Sequence, residues 1–214
     1  IYELGKYDPP AITGIQMRHV MEGEQYIFDK QAKYEKMEQI LDQCEANWHE
    51  GKGPYAPDEH PLRILVGGSG FGGTEFKTLN VIEELGGAIV CYEGCSGIVS
   101  RRRLIDESED RDPIACIAEK YLEVPCAVMA PNKARMEQVE KTIAEWNVEG
   151  MISLSLHSCH PFGIEAHNIA KVCKKCGIPH LHISTDFSRS DEGQLRTRIE
   201  AFLELLRQRR EEKL

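Results

Sequence analysis

The sequence contains neither a long apolar run nor an excess of basic residues. No stretch reaches the roughly 18 consecutive apolar residues that a membrane-spanning helix needs. The formal net charge is −9, with 35 Asp and Glu against 26 Lys and Arg. Because a protein that binds nucleic acid contacts phosphates through a basic face, this balance disfavours nucleic acid as the main partner. We therefore expect neither a membrane nor a nucleic acid as partner.

The sequence also lacks the short motifs of several enzyme classes. No G-x-S-x-G segment is present, which disfavours a serine hydrolase. No Lys-Ser or Lys-Thr directly follows the glycine-rich segment at 67–73, which excludes a P-loop. Cys173 and Cys176 form a C-x-x-C at the predicted end of a helix, where the helix dipole opposes thiolate formation. We therefore do not expect a thioredoxin-like redox site there.

Cysteine, in contrast, is abundant, with eight residues in a chain of 214. A chain of this length can bury a core without disulfides, so the many thiols indicate a reducing compartment and metal or redox chemistry. We therefore expect a cytoplasmic protein. The chain begins at Ile1 rather than Met, and we expect that an upstream part precedes it.

Apolar strands and amphipathic helices alternate from residue 62 onward. Strands are predicted at 62–66, 88–92, 151–156 and 180–185, and helices at about 74–85, from 97 to about 106, 113–122, 130–147, 164–176 and from 193. This order predicts an α/β fold, a Rossmann-like doubly wound parallel sheet of about four strands. Residues 1–60, with an amphipathic helix at about 24–50, are predicted to be a helical appendage to the domain at 61–214.

The loops that follow the strands are predicted to meet at one edge of this sheet, where ligands bind in such folds. These loops carry Ser69, Cys91, Cys95, the 157–160 segment and Asp186. Thiols and imidazoles are preferred ligands of iron, zinc and iron–sulfur clusters, which makes Cys159 and His160 candidates. The alternative for Cys159 is a small buried hydrophobic residue.

Cys95 and Cys126 lie in predicted loops, which can wrap around a metal, whereas Cys44 and Cys116 lie on apolar helix faces and are predicted to be core residues. His180 and His182 alternate along a predicted strand, and at least one of them is expected to be a structural histidine. Zinc-type pairs of C-x-x-C spacing are absent around Cys95 and Cys126.

The glycine-rich turn after the first strand, GGSGFGG at 67–73, has the composition of an anion cradle. Backbone N–H groups at Gly68, Gly70 and Gly72 could hold a phosphate or a cluster at the start of the following helix. The turn contains a single G-x-G-x-x-G match, which is a weak signal by itself. A flexible turn without a ligand is the alternative.

Several longer segments resemble the 2-hydroxyacyl-CoA dehydratase D-component family, which also holds benzoyl-CoA reductase subunits and double-cubane cluster proteins. The segments are YEGCSG (92–97), DPIACIAEKYLEVPCAVMAPN (112–132), CHPF (159–162) and STDFSRSDEGQLRTRIEAFLELL (184–206). The resemblance covers about 60–206, and ITGIQMRHVM (12–21) also fits. Members of the family have two Rossmann-like halves, so the resemblance implies that this chain is the C-terminal half with its preceding helix.

The resemblance also implies a cofactor, partners and a reaction. Cys159 would ligate a [4Fe-4S] or double-cubane cluster, and Cys95 and Cys126 match other recurrent cysteines. His160 and Ser69 would be catalytic, although the family often has Cys-Pro where Ser69-Gly70 stands. An ATP-dependent activator would supply one electron, and a partner subunit or a homodimer would act on an acyl-CoA by radical elimination of water. The alternatives are an ATP-dependent double-cubane reductase of small molecules and a cluster-free interaction domain.

Overall fold

Four parallel strands form one sheet in the part of the chain that this computed structural model describes, residues 1–69, 75–94 and 97–212. The strands are β1 (Leu62–Gly68), β2 (Gly87–Tyr92), β3 (Gly150–Leu156) and β4 (His180–Thr185). Their order across the sheet is β2-β1-β3-β4, and every neighbouring pair is parallel. The predicted parallel α/β sheet is thus confirmed, and the strand order reverses between β1 and β3, which makes this gap the topological switch point.

Seven α-helices accompany the sheet within the same described residues. They are α1 (Gly14–Gly23), α2 (Lys30–His49), α3 (Phe76–Glu84), α4 (Pro113–Leu122), α5 (Lys133–Glu145), α6 (His160–Lys175) and α7 (Glu192–Glu211). Short 3₁₀ helices cover Tyr2–Lys6, Glu24–Tyr26 and Ile98–Ser100. None of the helices in the described residues combines the length and the apolar character needed to cross a membrane.

Helices α6 and α7 lie on opposite faces of the sheet. Gly150 of β3 lies against Leu206 and Phe202 of α7, whereas the next residue, Met151, contacts the thiol of Cys173 in α6. Because successive residues of a strand point to opposite faces, the two helices cover different sides. Helix α3 packs beside α7 and α5 packs beside α6, so both faces are covered, as in a doubly wound fold.

The N-terminal segment packs into the same core as the sheet. Leu4 and Met17 are fully buried and belong to one apolar cluster with the strands. The hydroxyl of Tyr92, at the end of β2, donates a 2.9 Å hydrogen bond to the carbonyl of Gly14. These contacts bring the 3₁₀ helix at Tyr2–Lys6 and helix α1 against β2, which has no strand on its outer side within the described residues.

Helix α2 is more loosely attached, since none of its residues is fully buried. Its C-terminal end is held by Trp48, whose indole N–H donates a 2.7 Å hydrogen bond to the carbonyl of Pro9. The helix begins at Lys30 rather than at the predicted Glu24, because the carboxylate of Asp29 caps it by accepting two backbone N–H groups. The predicted domain boundary at residue 60 stays a prediction.

The predicted helix that ends near Asp106 is wrong, because only the 3₁₀ turn at Ile98–Ser100 forms in that region of the described chain. The charged residues that follow pair with groups outside a local helix. Arg102 forms an ion pair with Glu145 of α5 at 2.8 Å. Arg111 likewise binds Asp106 at 2.9 Å. These ion pairs tie down an irregular segment that periodicity alone suggested was helical.

Helix α4 is confirmed at its predicted limits, because Asp112 caps it and Pro113 occupies its first turn. Strand β4 is also confirmed, at its predicted residues. Helix α6, however, begins at His160 and not at the predicted Ile164. Pro161 explains the earlier start, because proline fits the first turn of a helix, where its missing N–H costs no hydrogen bond.

Candidate functional site

The carboxyl ends of the four strands meet at one edge of the sheet. Ser69 follows β1, Glu93 follows β2, the 157–160 segment follows β3 and Asp186 follows β4. The switch point between β1 and β3 therefore lies between Ser69 and the 157–160 segment. In open α/β sheets this is the position where ligands bind, and it contains several of the predicted site residues. Cys91 is an exception, because it lies within β2, is fully buried, and has a thiol pKa raised by that burial.

Ser69 joins the ends of β1 and β3. Its backbone N–H donates to the carbonyl of Leu154 at 3.0 Å, and its hydroxyl oxygen accepts a hydrogen bond from the N–H of Leu156 at 3.2 Å. Through these contacts Ser69 holds the two strand ends together. The hydroxyl hydrogen is not used in them and can still be donated to another group. The catalytic role predicted for Ser69 stays a prediction.

Gly68 is required by the close approach of strands at this edge. Its φ of +130° is unfavourable for other residues, and a Cβ atom would lie 1.8 Å from the carbonyl oxygen of Leu154. Gly94, after β2, has the same φ, and a Cβ there would lie 2.8 Å from the carbonyl oxygen of Gly68. The predicted cofactor contacts of Gly70 and Gly72 lie outside the described residues.

Cys159 and His160 form the junction between β3 and α6. Cys159 is the N-cap residue of α6, His160 is the first residue of the helix, and the preceding Ser158 has a φ of +66°. The Cys159 side chain is half-buried and His160 is exposed. The first turn of a helix favours negative charge because its N–H groups point outward.

Cys126 lies in a turn that precedes α5. Its carbonyl accepts a 2.7 Å hydrogen bond from the side-chain amide of Asn132, the residue that caps α5. The half-buried Cys126 lines a small cleft together with Gly94, Arg135 and Phe162. Gly94 precedes the predicted ligand Cys95, which itself lies outside the described residues. The cleft thus brings the Cys126 segment next to the loop after β2 and the first turn of α6.

A buried ion network lies beneath this cleft. The guanidinium of Arg135 donates to both carboxylate oxygens of Glu93, at 2.7 and 3.0 Å, and to Glu165 at 3.3 Å. The three side chains are only 3%, 1% and 8% exposed, respectively. Burial lowers the pKa of Arg135, but the hydrogen bonds and charge of Glu93 more than offset this effect and raise it.

Arg135 therefore connects the three segments that carry the predicted thiol ligands. Glu93 belongs to the loop after β2, and Glu165 and Phe162 belong to the start of α6. The guanidinium lies 5.0 Å from the centre of the Phe162 ring, within the range of a cation–π contact. Arg135 itself lies on α5, one turn after the Asn132 cap that binds the Cys126 carbonyl.

Serine–histidine pairs join β3 to β4 along one face of the sheet. Ser153 shares a hydrogen bond with His180 at 2.8 Å, Ser155 with His182 at 2.9 Å, and Ser184 with His157 at 2.8 Å. Burial lowers the pKa of His180 to about 4 and also lowers that of His182. Both imidazoles are thus expected to be neutral near pH 7, in agreement with a structural role.

Lys77 anchors the loop after β4 to the start of α3. Its ammonium donates to the carbonyls of Asp186 and Ser188, at 3.0 and 2.6 Å, and to the carboxylate of Asp191 at 2.6 Å. The Lys77 side chain is buried, so these three acceptors replace its hydration shell. No local sequence pattern indicated a role for Lys77.

Arg135 was likewise not predicted as a site residue, although the sequence carries a signal for it. Arg135, Val139 and Ile143 recur at helical spacing on the buried face of α5. An arginine within an apolar stripe indicates a buried cation that needs carboxylate partners. The partners themselves lie on distant parts of the chain and give no local signal.

The described residues do not by themselves form a complete metal site. Among residues 1–69, 75–94 and 97–212, no group of three or more His, Cys, Asp or Glu side chains is placed to hold a metal ion. The half-buried thiols of Cys126 and Cys159 are free and chemically suited to iron, whereas Cys173 is buried and its pKa is raised to about 12 by that burial.

Comparison with known proteins identifies the family to which this arrangement belongs. The family model described as 2-hydroxyglutaryl-CoA dehydratase, D-component, matches residues 1–206. The chain belongs to this dehydratase D-component family. The predicted resemblance is confirmed, and the match also includes the N-terminal segment that packs against β2.

Curated relatives of the family are similar along most of this chain. YjiM of Escherichia coli (strain K12), provisionally named as a dehydratase subunit, is 34% identical over 206 residues, which cover 96% of this chain and 52% of YjiM. The (R)-phenyllactyl-CoA dehydratase beta subunit of Clostridium sporogenes is 27% identical over 202 residues, which cover 92% of this chain and 50% of that subunit.

A third curated relative matches a shorter part of this chain. The beta subunit of (R)-2-hydroxyglutaryl-CoA dehydratase from Acidaminococcus fermentans is 35% identical over 72 residues, which cover 34% of this chain and 19% of that subunit. This chain spans about half the length of the first two relatives.

Proposed function

We propose that this chain is an iron–sulfur subunit or domain of a 2-hydroxyacyl-CoA dehydratase-type enzyme, a lyase that eliminates water by one-electron chemistry. The observation that supports this most strongly is the family match over residues 1–206. The placement of Cys126 and Cys159 on neighbouring segments at the carboxyl edge of the sheet adds to it, because thiolates are the ligands of cubane clusters.

In this proposal Cys159 and Cys126 are cluster ligands, and Cys95 on the loop after β2 is the third. The cluster, when bound, supplies one electron at low potential. His160 is exposed next to Cys159 and can exchange a proton with a substrate at this edge. Ser69 lies across the switch point, where its hydroxyl hydrogen can be donated to a substrate oxygen. In this proposal the backbone N–H groups of the glycine-rich turn at 67–73, with Gly68, Gly70 and Gly72, would pack against the cluster or the CoA.

The proposal includes partners and a location. An ATP-dependent activator delivers the electron, a partner subunit or a second copy completes the enzyme, and an acyl-CoA is the substrate. The reaction takes place in the cytoplasm. The two longest-matching relatives carry subunit names, which supports an assembly of more than one chain.

A cluster-free interaction domain is the second candidate. The absence of a group of three ligands within the described residues favours it, because one cubane needs at least three thiolates or equivalent ligands from the protein. On this alternative Cys126 and Cys159 are ordinary half-buried thiols.

The deciding experiment measures iron and acid-labile sulfide per chain after anaerobic purification of wild type, Cys159→Ala and Cys176→Ala. Cys176 is a matched control, because it is a half-buried thiol at the opposite end of the same helix, α6. We expect about four iron atoms per chain in the wild type, as in one cubane, unchanged in Cys176→Ala and lost in Cys159→Ala.

Wild-type protein without iron would refute the cluster proposal and support the interaction domain. Equal loss of iron in both variants would refute the ligand role of Cys159. Turnover then separates the two enzyme classes. Elimination of water from a 2-hydroxyacyl-CoA in the presence of activator and ATP supports the lyase, whereas ATP-dependent reduction of a small molecule without such elimination supports the double-cubane reductase.

A further inference from the structure

The buried network of Arg135, Glu93 and Glu165 contains one more negative charge than positive charge. Its single guanidinium faces two carboxylates, and the three side chains are between 1% and 8% exposed. Within the described residues, no Lys, Arg or His side chain other than Arg135 forms an ion pair with either carboxylate. A carboxylate without a cation of its own is unfavourable in the interior of a protein, so the excess charge needs a reason.

Glu165 is the member of the network that packing alone does not require. Arg135 is already paired with Glu93, because its guanidinium donates to both carboxylate oxygens, at 2.7 and 3.0 Å. The contact of Arg135 with Glu165 is longer, at 3.3 Å. The other oxygen of Glu165 accepts a 2.9 Å hydrogen bond from the uncharged amide of Asn168. A glutamine would fill the same space and could accept this bond, so it is the charge of Glu165 that needs an explanation.

The network lies next to the segments that carry the proposed thiol ligands. Glu93 stands two positions before Cys95 in the sequence. Glu165 stands six positions after Cys159, in the first two turns of α6. The guanidinium between the two carboxylates lines the small cleft that also contains Cys126. The excess negative charge is therefore buried at the place where these thiols would hold a cluster.

A fixed negative charge makes a nearby redox centre harder to reduce. The net charge around an iron–sulfur cluster is one of the factors that set its reduction potential. At an effective dielectric constant of about 20, a unit charge roughly 10 Å away changes an equilibrium constant about tenfold. Salt screens an exposed charge strongly and a buried charge much less. The network can thus act on a cluster through its electric field without contacting it.

We propose that Glu165 supplies a fixed negative charge that lowers the reduction potential of a cluster held at this edge of the sheet. This inference rests on the proposed function, because it requires a cluster bound at Cys126 and Cys159. A lower potential makes the reduced cluster a stronger one-electron donor, which suits chemistry that adds an electron to an acyl-CoA. The electron comes from the ATP-dependent activator and passes to the substrate, so the network itself neither gains nor loses one.

Two substitutions each remove one negative charge and keep the shape of the side chain. Glu165→Gln and Glu93→Gln should both raise the midpoint potential, because the network then becomes neutral. At a fixed potential we expect the ratio of reduced to oxidised cluster to rise about tenfold, which corresponds to a shift of about 59 mV for one electron. A loss of packing alone gives no reason for the two variants to shift in the same direction.

Glu140→Gln is the matched control, because it removes the same charge from α5, the helix that carries Arg135. Glu140 is 42% exposed and pairs at 2.8 Å with Lys175, the last residue of α6. Since α6 has 16 residues and a helix rises 1.5 Å for each, this pair lies about 20 Å from the first turn, where Cys159 is. Solvent and salt screen a charge over that distance, so the control should keep the wild-type potential.

The test is a redox titration of the whole chain after anaerobic purification, followed by the electron paramagnetic resonance signal of the reduced cluster. The iron content of every variant is measured first. We expect Glu165→Gln and Glu93→Gln to keep the wild-type iron content and to raise the midpoint potential equally at low and at high salt, because a buried charge is little screened. If one of the two variants does not fold, the other still gives the measurement.

Wild-type protein without iron overturns the proposed function, and this inference with it. A wild-type iron content combined with an unchanged or lowered potential in Glu165→Gln overturns the inference alone. An equal rise in Glu140→Gln also overturns it, because the effect would then come from the overall charge of the chain. Loss of iron from both buried variants overturns it as well, because the carboxylates would then be needed to build the site and not to set its potential.

Discussion

Replacing Arg135 with Met removes the cation from the buried network and keeps a side chain of similar length. Glu93 and Glu165 would then remain buried without the guanidinium that pairs with them. Removal of one partner from a buried ion pair costs about 3–5 kcal/mol, because the remaining charge is left unpaired in a poorly solvated place. A chain of this size loses roughly 2–4 °C in Tm per kcal/mol, so we expect a decrease of about 6–20 °C.

The assays are thermal and urea denaturation followed by circular dichroism, with Arg196→Met as a matched control. Arg196 pairs with Glu84 at 2.8 Å, but both side chains are about half exposed. Because solvent screens such pairs, the control substitution should lower the free energy of unfolding by less than about 1 kcal/mol. The two variants change the same side chain in the same way, so their difference measures the effect of burial.

A second substitution shows whether the loss arises from unpaired charge. Glu93→Gln in the Arg135→Met background removes one buried carboxylate and keeps the shape of the side chain, so it should recover about 1–2 kcal/mol. The same Glu93→Gln change in the wild-type background should destabilise the protein. If Arg135→Met lowers the free energy of unfolding no more than Arg196→Met does, this network does not hold the edge of the sheet together. The same follows if Glu93→Gln further destabilises the Arg135→Met variant.

Two further predictions concern other contacts at this edge. His180→Asn should reduce the pH dependence of stability, because the folded pKa of about 4 lies below the ordinary 6.5 and protonation favours the unfolded state. Wild-type stability should therefore fall as the pH drops from about 6.5 to about 4, and His180 should contribute about 1–2 kcal/mol of this fall after allowance for its partial exposure. Urea unfolding at several pH values should show a smaller slope in that range for the variant than for the wild type, and equal slopes would contradict this. Lys77→Met should cost about 1.5–3 kcal/mol and speed amide hydrogen exchange at 186–191, because the buried cation holds that loop through three acceptors. Unchanged exchange there, with Arg196→Met as the reference, would refute the anchoring role.

Local signals were sufficient to predict most of the fold. Asp112-Pro113 marks the start of α4 by a cap and a favourable proline, and Gly177 to Pro179 separates α6 from β4. These signals depend on neighbouring residues and are visible in a single sequence. These local signals were insufficient at Pro161. Proline often marks the end of a helix or strand, but here it occupies the first turn of α6.

The candidate site was predictable only where it depends on topology. The parallel order of strands predicts that Ser69 and the 157–160 segment meet, and the hydrogen bond between Ser69 and Leu156 agrees with this. The contacts that hold the edge were not predictable. Arg135 is 42 residues from Glu93, and Lys77 is 109 residues from Asp186, so no periodicity connects them. Such pairs form only when distant parts of the chain pack together, so a single sequence gives no local signal for them.

The groups that hold this edge in place are different from the groups proposed to carry its chemistry. Arg135 and its two carboxylates are buried and fully engaged, whereas the thiols of Cys126 and Cys159 are half-buried and free. Loss of a half-buried sulfur creates little cavity, so Cys159→Ala should leave the stability of the iron-free protein nearly unchanged. Arg135→Met should instead lower stability while leaving every thiol in place. A Cys159→Ala variant as unstable as Arg135→Met would show that this cysteine is part of the scaffold, and its loss of iron could then no longer be interpreted as loss of a ligand.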